Sequence, residues 1–322
     1  MELMDILNQL QFSLSITGPI CLMLILGIVF KRIGLINENF IDVGSKLVFK
    51  VTLPTMLFLS IVVSEHDFYA ASSFIAFGVV SSVLFFIFSS IAVKGLFSQS
   101  PDQGVIVQGS FRANTGIIGI AYVANAFGEQ GVALGAIYVA AITLTYNILA
   151  VICLTPKGAE SGESVGKMMI STLTKNPLII SILLGLVVYL LSIPVPDIAV
   201  DAGNYLAKMT LPLALLCTGG SLNLGSLKKE PGPSWFASSN KLVIAPVLIT
   251  ASAYWLGFRG LELGVLFFMN AAPVAAASYV MARSMGGNST LAANIIALST
   301  VLSTLTCTVG VLLLLGLNLM YT

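Results

Sequence analysis

The chain consists of one unit that occurs twice, with equivalent residues a constant 158 positions apart, as in Pro54 and Pro212. The repeated positions are Pro19 and Pro177, Gly27 and Gly185, Lys50 and Lys208, Thr52-Leu53-Pro54 and Thr210-Leu211-Pro212, and Gly128 and Gly286. Each copy is predicted to hold five apolar segments long enough to cross a bilayer. Because five is an odd number, the second copy would enter the membrane in the opposite orientation to the first. The duplication therefore predicts two inverted halves.

The composition indicates that the chain lies in a membrane. Hydrophobic residues make up 57% of the 322 residues and charged residues only 9%, whereas about 25% of the residues of an ordinary soluble domain are charged. The net charge of +1 and the lack of a basic cluster argue against a nucleic-acid partner. We therefore predict an integral membrane protein surrounded by the lipid bilayer.

The apolar runs predict the fold class and the domain boundaries. A helix needs roughly 20 apolar residues to cross a bilayer core, and charged or Gly/Pro-rich breaks divide the chain into ten such runs. Their bounds are about 13–31, 43–63, 68–97, 103–127, 132–154, 176–193, 197–221, 237–256, 261–285 and 290–319. The predicted fold is an all-α polytopic membrane protein with ten transmembrane helices in two inverted five-helix repeats. The repeats would span 1–155 and 176–322, with a cytoplasmic linker and an interfacial helix at 156–175.

The distribution of basic residues predicts the orientation. With the N-terminus outside, the inward loops would contain Lys31, Arg32, Lys94, Lys157, Lys167, Lys175, Lys228, Lys229 and Lys241, and the outward loops only Arg259. Positive residues concentrate in the cytoplasmic loops of membrane proteins. Both termini are therefore expected outside.

A polar patch lies in the middle of the fourth apolar run, where Arg112 is followed by Asn114, Thr115 and Gly116. An arginine at the centre of a bilayer costs about 2.5–3.5 kcal/mol on insertion scales, so such a residue usually faces a cavity or a partner. Glycine and asparagine favour a local break that leaves backbone groups free. We therefore predict that the fourth helix is interrupted here and contributes to a binding site.

The ninth run contains a matching break. Pro273 is the equivalent of Thr115, and a proline removes a backbone donor and disfavours helical geometry in the residue before it. Two broken helices at equivalent places in inverted halves are predicted to cross near the middle of the membrane. The N-termini of the half-helices would form a site suited to a carboxylate, to which Asn270 and Pro273 contribute. The alternative is that Pro273 merely kinks a packed helix.

Three further residues are candidates for hinges or for the crossing itself. Pro54 and Pro212 are predicted to interrupt the second and seventh helices at equivalent places, and Gly119 follows the break in the fourth. For the two prolines the alternative is a simple kink beside a lysine that reaches the membrane interface.

Acidic residues are absent from the middle of every predicted segment. A proton relay built from Asp, Glu and His is therefore not evident, although hydroxyl and amide groups could still hold sodium. The coupling ion, H⁺ or Na⁺, is left open. The sequence contains no metal-ligand cluster, cofactor motif or nucleophile–base pair. It predicts no metal, no cofactor and no enzymatic activity.

Segments of both halves resemble the auxin efflux carrier family. In the first half they are Lys31-Arg32-Ile33-Gly34-Leu35-Ile36, Lys46 through Pro54, and Gly109 through Gly119. In the second half Ala272-Pro273-Val274-Ala275, Tyr279 through Arg283, and Ser299-Thr300-Val301-Leu302-Ser303 resemble the ninth and tenth helices of that family. The resemblance covers essentially the whole chain.

The resemblance implies ten helices in two inverted repeats, with a scaffold domain and a transport domain that move like an elevator, as in NhaA-like and bile-acid-transporter-like proteins. It also implies that Asn114 is the crossover asparagine and Pro273 the second crossover proline. The chain departs from the family near Gly119, where a proline is common, and at Ala113, which replaces a common glycine. Its short linker resembles that of bacterial members, so the expected location is a bacterial inner membrane.

These features together predict a secondary transporter that moves a small organic anion, such as a mono- or dicarboxylate, by elevator-type alternating access. One alternative is a sodium-coupled symporter of bile-acid-like anions. Another, from a different class, is a membrane sensor or receptor that binds a small ligand without moving it. A homodimer is left open.

Overall fold

The structure, a computed structural model, describes residues 2–63, 71–155, 175–222 and 231–320. Every regular element in these ranges is helical, which confirms the predicted all-α class. The α-helices are α1 Glu2–Arg32, α2 Glu38–Leu47, α3 Leu53–Val62, α4 Ser72–Leu96, α5 Gln103–Phe111, α6 Ile120–Leu154, α7 Pro177–Leu190, α8 Asp197–Ser221, α9 Pro231–Ser239, α10 Ala245–Trp255, α11 Gly260–Ala271, α12 Ala277–Ser284 and α13 Ser289–Gly316. Three π-helical turns connect some of them, at Val48–Thr52, Thr115–Gly119 and Asn240–Ile244. The predicted linker and interfacial helix lie, up to residue 174, outside the described residues.

The described helices have the lengths and surfaces of an integral membrane protein. Six stretches are long and apolar enough to cross a membrane: Gln9–Arg32, Glu38–Val62, Ser72–Leu96, Thr115–Leu154, Pro231–Trp255 and Ser289–Gly316. Two shorter helices, α7 and α11, are also apolar. Large apolar side chains such as Leu22, Ile91 and Leu313 are more than half exposed. An apolar surface of this kind suits a lipid environment and is unfavourable in water.

Two of the π-helical turns have a local cause in proline. Pro54 lies at the start of α3, directly after the turn Val48–Thr52, and Pro246 lies at the start of α10 after the turn Asn240–Ile244. A proline lacks an N–H and clashes with the carbonyl group four residues earlier, and a π-helical turn accommodates both defects by widening the helix. In contrast, α8 runs without a break through Pro212. The interruption predicted at Pro212 is therefore absent, and this proline lies inside a continuous helix.

Helices from the two copies pack closely at equivalent glycines. Gly27 of α1 lies so near α8 that a Cβ there would overlap the carbonyl oxygen of Leu216, and Gly219 of α8 is equally close to the backbone of α1. Gly185 of α7, the equivalent of Gly27, faces α3, where a Cβ would lie 3.3 Å from the carbonyl oxygen of Phe58. Helix association in lipid depends on such close packing at small residues. The first helix of each copy is thus held against a helix of the other copy.

Replacing Gly27 with alanine is expected to destabilise the protein by about 1–3 kcal/mol, the usual cost of overpacking, because a backbone carbonyl group cannot move aside as a side chain can. The measurement is the thermal unfolding of the purified protein in detergent. Gly18→Ala in the same helix is the matched control, since a Cβ at Gly18 would meet no atom within 4 Å. Equal stability of the two variants would contradict this close packing.

The predicted interruptions in the fourth and ninth apolar runs are both present, and they overlap at the equivalent pair Asn114 and Ala272. Residues 112–114 separate α5 from the next π-helical turn, and residues 272–276 separate α11 from α12. After each interruption the chain turns at a glycine with positive φ: Gly128, at 58°, divides α6 into two helical parts at a kink, and its equivalent Gly286, at 75°, follows α12. Glycine adopts positive φ at no steric cost. The backbone conformation therefore explains why a glycine occurs at this position in both copies.

Candidate functional site

The two interrupted segments pair with each other through their backbones. The N–H of Asn114 donates to the carbonyl oxygen of Pro273 at 2.7 Å, and the N–H of Ala275 donates to the carbonyl oxygen of Arg112 at 3.1 Å. Between these bonds, Ala113 lies in an antiparallel bridge with Val274. Backbone groups at helix ends have no partners within the helix, and in a membrane they must find them inside the protein. Each break therefore supplies the hydrogen bonds that the other one needs.

Gly119 allows the π-helical turn after the first break to approach α11. Its N–H donates to the carbonyl oxygen of Asn114 at 2.9 Å. A Cβ at this position would lie 2.9 Å from Sδ of Met269 on α11, which is too close for an ordinary contact. The residue predicted as part of the crossing thus has a close-packing role beside the break.

A cavity of about 1420 Å³ extends from the paired segments to α1, α2 and α8. Four of the six predicted substrate-binding residues line it, namely Arg112, Asn114, Thr115 and Gly116. Much of the remaining wall is apolar, with contributions from Ile28, Leu53, Ile117, Leu178 and Ile296. The cavity therefore combines a polar patch at the first break with apolar walls.

Arg112 is the charged group of this polar patch. Its side chain is almost completely buried, and the guanidinium Nη2 donates to Oδ1 of Asn147 on α6 at 2.7 Å. The other guanidinium nitrogen, Nη1, donates to Sδ of Met281 on α12. Both partners are neutral, so these described contacts fix the position of the guanidinium without balancing its positive charge.

The carboxylates that line the cavity are paired elsewhere. Glu38 forms an ion pair with Lys31 at 2.7 Å, and Asp42 forms one with Lys46 at 3.2 Å. All four residues belong to the end of α1 and to α2, whereas Arg112 follows α5. Within the described ranges no ion pair involves Arg112. The paired segments therefore present a net positive charge to the cavity.

Asn270 and Pro273, the two predicted site residues of the second copy, are buried and do not line the cavity. The Asn270 side-chain nitrogen Nδ2 donates to the hydroxyl oxygen of Tyr138 at 3.2 Å and to the carbonyl oxygen of Leu266 at 2.9 Å. Pro273 contributes its carbonyl oxygen to the pairing with Asn114. The structure brings both residues to the break and directs their polar groups into the protein.

Two polar residues at the break were missed by sequence reasoning. Asn147 holds the Arg112 guanidinium, but it lies 35 residues further along the chain with no local motif. Lys241, expected in an inward loop, is fully buried, and its Nζ donates to the carbonyl oxygen of Asn270 at 2.5 Å. The loop assignment of Lys241 is therefore wrong. The apolar residues that follow it and Pro246 five positions later were the available signal.

The described structure is a helical integral membrane protein with a polar cavity, containing a cation, at two paired helix breaks. Such interrupted helices around a central site are typical of membrane transporters. The chain belongs to the membrane transport protein family, whose sequence model matches residues 17–311, and the predicted resemblance to the auxin efflux carrier family is confirmed. It is 24% identical over 287 residues to an uncharacterized transporter of Methanothermobacter thermautotrophicus, a match that covers 88% of this chain and 92% of the relative. An uncharacterized transporter of Methanocaldococcus jannaschii is 23% identical over 280 residues, covering 81% and 86%. The chain is thus a membrane transporter.

Proposed function

We propose that the protein is a secondary carrier that moves a small organic anion, such as a mono- or dicarboxylate, by elevator-type alternating access. The observation that carries the proposal is the buried Arg112 guanidinium, which lines the cavity and has only neutral partners in the described structure. A carboxylate there would form charge-assisted hydrogen bonds and balance the buried charge. Asn114, Thr115 and Gly116 would contact the same ligand from the first break, with Asn270 and Pro273 supporting it from behind.

The proposal includes the ten-helix architecture of two inverted repeats, 1–155 and 176–322, whose broken fourth and ninth helices cross. Three observations support it: the breaks that overlap at the equivalent pair Asn114 and Ala272, the equivalent positive-φ glycines, and the reciprocal packing of α1 on α8 and α7 on α3. In an elevator mechanism α1, α2, α3, α7 and α8 would form the scaffold. The remaining helices would carry the substrate past it, with Pro54 as a hinge candidate.

The orientation belongs to the same proposal. Without Lys241, the inward loops still contain more basic residues than the outward loops, so the predicted orientation stays the same. Lys31 and Arg32, at the end predicted to be cytoplasmic, line the cavity. We therefore assign both termini to the outer side of a cytoplasmic membrane and the cavity to an inward-facing state.

Replacing Asn114 with alanine is expected to abolish transport while the protein stays folded, because the change removes an amide from the cavity wall and keeps the backbone bonds of the break. The measurement is counterflow of labelled mono- and dicarboxylates in proteoliposomes, with and without sodium. Asn204→Ala, at an exposed position on α8, is the control and should behave like the wild type.

The same assay, combined with ligand binding and thermal unfolding of the purified protein, separates the rival functions. Unchanged transport by Asn114→Ala would remove this residue from the site. Strict dependence on external sodium would favour a symporter of the bile-acid type. Saturable binding without counterflow would favour a sensor, and stabilisation by sugars or amino acids but by no carboxylate would contradict an anion carrier.

A further inference from the structure

Lys241 is a second buried cation at the helix breaks, away from the cavity. Its side chain is 0% exposed, and it does not line the cavity. Among the residues whose burial is described, Arg112 and Lys241 are the only buried side chains that carry a charge. A cation in this position is costly in a membrane unless a compensating group is present.

Among the described residues, the elements around Lys241 supply no nearby carboxylate. Its π-helical turn follows α9 and packs against α5, α10, α11 and α13. In these helices the one acidic residue is Glu262, which lies in the first turn of α11, at the opposite end from Asn270. Apart from Lys241 itself, the buried polar side chains of the same elements are neutral: Gln108, Ser110, Ser234, Ser238, Asn240, Thr250, Asn270, Asn294, Ser299, Thr300 and Ser303. The charge of Lys241 must therefore be balanced by something other than an acid.

The end of α11 provides that balance. The carbonyl group of Asn270 lies in the last turn of α11, which ends at Ala271, and last-turn carbonyls have no N–H partner within the helix. The C-terminus of a helix also carries a partial negative charge of about half an elementary charge. The Nζ of Lys241 donates to this carbonyl, so it supplies the missing hydrogen bond, and in its protonated form it places a positive charge at the negative end of the helix.

The position matters because the pairing segment begins immediately after this helix end. Pro273 and Val274, which pair with the first break, follow Asn270 by only three and four residues. In transporters with discontinuous helices, carbonyl groups at half-helix C-termini are typical ligands of coupling sodium ions. Here the side-chain amine of Lys241 donates a hydrogen bond to such a carbonyl, that of Asn270.

We propose that Lys241 is a tethered cation that holds the end of α11 at the paired breaks, in place of a bound alkali-metal ion, so that the carrier works without sodium. The transport part of this inference rests on the proposed carrier function. Lys241 is a positioning residue: it acts through Asn270 on the segment that supports Asn114, and it does not contact the substrate.

The first test removes the tether and supplies a free cation. Lys241→Ala is expected to unfold several degrees below the wild type in detergent, roughly the effect of losing one buried charged hydrogen bond in a chain of this size. Methylammonium, which can donate to the carbonyl of Asn270, should restore most of this loss, whereas tetramethylammonium, which cannot donate, should not. Neither salt should change the unfolding temperature of the wild type or of Lys50→Ala. Lys50 is an exposed residue of the π-helical turn Val48–Thr52. Failure of methylammonium to act selectively on Lys241→Ala would overturn the proposal.

The second test separates the charge from the hydrogen bond and remains usable if Lys241→Ala does not fold. Glutamine at this position can donate to the same carbonyl without a charge, so Lys241→Gln is expected to fold and to transport at least about tenfold more slowly than the wild type. Wild-type transport should be equal in sodium and in choline. Sodium dependence of the wild type, or full activity of Lys241→Gln, would overturn the tethered cation. If the wild type moves no carboxylate, the proposed function fails, and the thermal rescue still decides the role of Lys241.

Discussion

Replacing Arg112 with glutamine is expected to weaken carboxylate binding by roughly ten- to 150-fold. This range follows from the 1.5–3 kcal/mol that a hydrogen bond to a charged group typically contributes. The physical reason is that Arg112 is a buried cation in the cavity wall whose described partners, Asn147 and Met281, are neutral. The glutamine amide can still bond to Asn147, so the local structure should survive. Affinity measured on the purified protein and uptake into proteoliposomes should fall together.

Two further variants define what the loss means. Arg112→Lys keeps the charge and loses the planar fork that matches a carboxylate, so its affinity should lie between those of the wild type and Arg112→Gln. Arg283→Gln removes an exposed arginine from α12 and should leave binding unchanged. Wild-type affinity in Arg112→Gln would show that the substrate is not held by this guanidinium, and the anion proposal would lose its main support.

The helix breaks could be predicted because each one has a local cause in the sequence. Arg112 and Asn114 are too polar for the middle of an apolar run, and Pro273 removes a backbone donor at the equivalent place. The constant offset then indicated that the breaks belong together. In the structure the two breaks are in direct contact, since the N–H of Asn114 donates to the carbonyl oxygen of Pro273.

The direction of each side chain could not be predicted in the same way. Asn114 and Asn270 both lie beside a break, yet one lines the cavity and the other donates to Tyr138 and Leu266. The difference arises from which face of α11 packs against α6, and a sequence offset holds no information on that packing. Predicted site residues beside the two breaks can therefore have different roles in the two copies.

The error at Lys241 has a physical explanation. The predicted run 237–256 begins only four residues before this lysine, and Pro233 precedes it by eight, so the pattern assigns its charge to the adjoining inward loop. In the structure Pro231 begins a helix, and Lys241 reaches the middle of the protein because the helix continues through a π-helical turn. The partner that stabilises it is a backbone carbonyl group, which no residue pattern reveals.

Replacing Asn147 with aspartate is expected to abolish anion binding, an effect at least as large as that of Arg112→Gln. The new carboxylate would lie where Oδ1 of Asn147 now accepts from Nη2 of Arg112 at 2.7 Å, and it would supply the negative charge that the substrate otherwise brings. A bound anion would then have to displace an internal partner that is already aligned, and in a low-dielectric site a close ion pair is hard to separate.

The matched variant is Asn147→Ala, which removes one hydrogen bond from Arg112 and leaves its charge unbalanced. Its affinity should fall only by the contribution of a positioning contact, about 0.5–1.5 kcal/mol or two- to tenfold. Asn147→Asp should also unfold no earlier than Asn147→Ala, because the ion pair stabilises the buried guanidinium. The order of affinities, wild type above Asn147→Ala and both far above Asn147→Asp, distinguishes an unbalanced charge from a mere hydrogen-bond donor. Equal affinities of the two variants would mean that the charge of Arg112 does not hold the substrate.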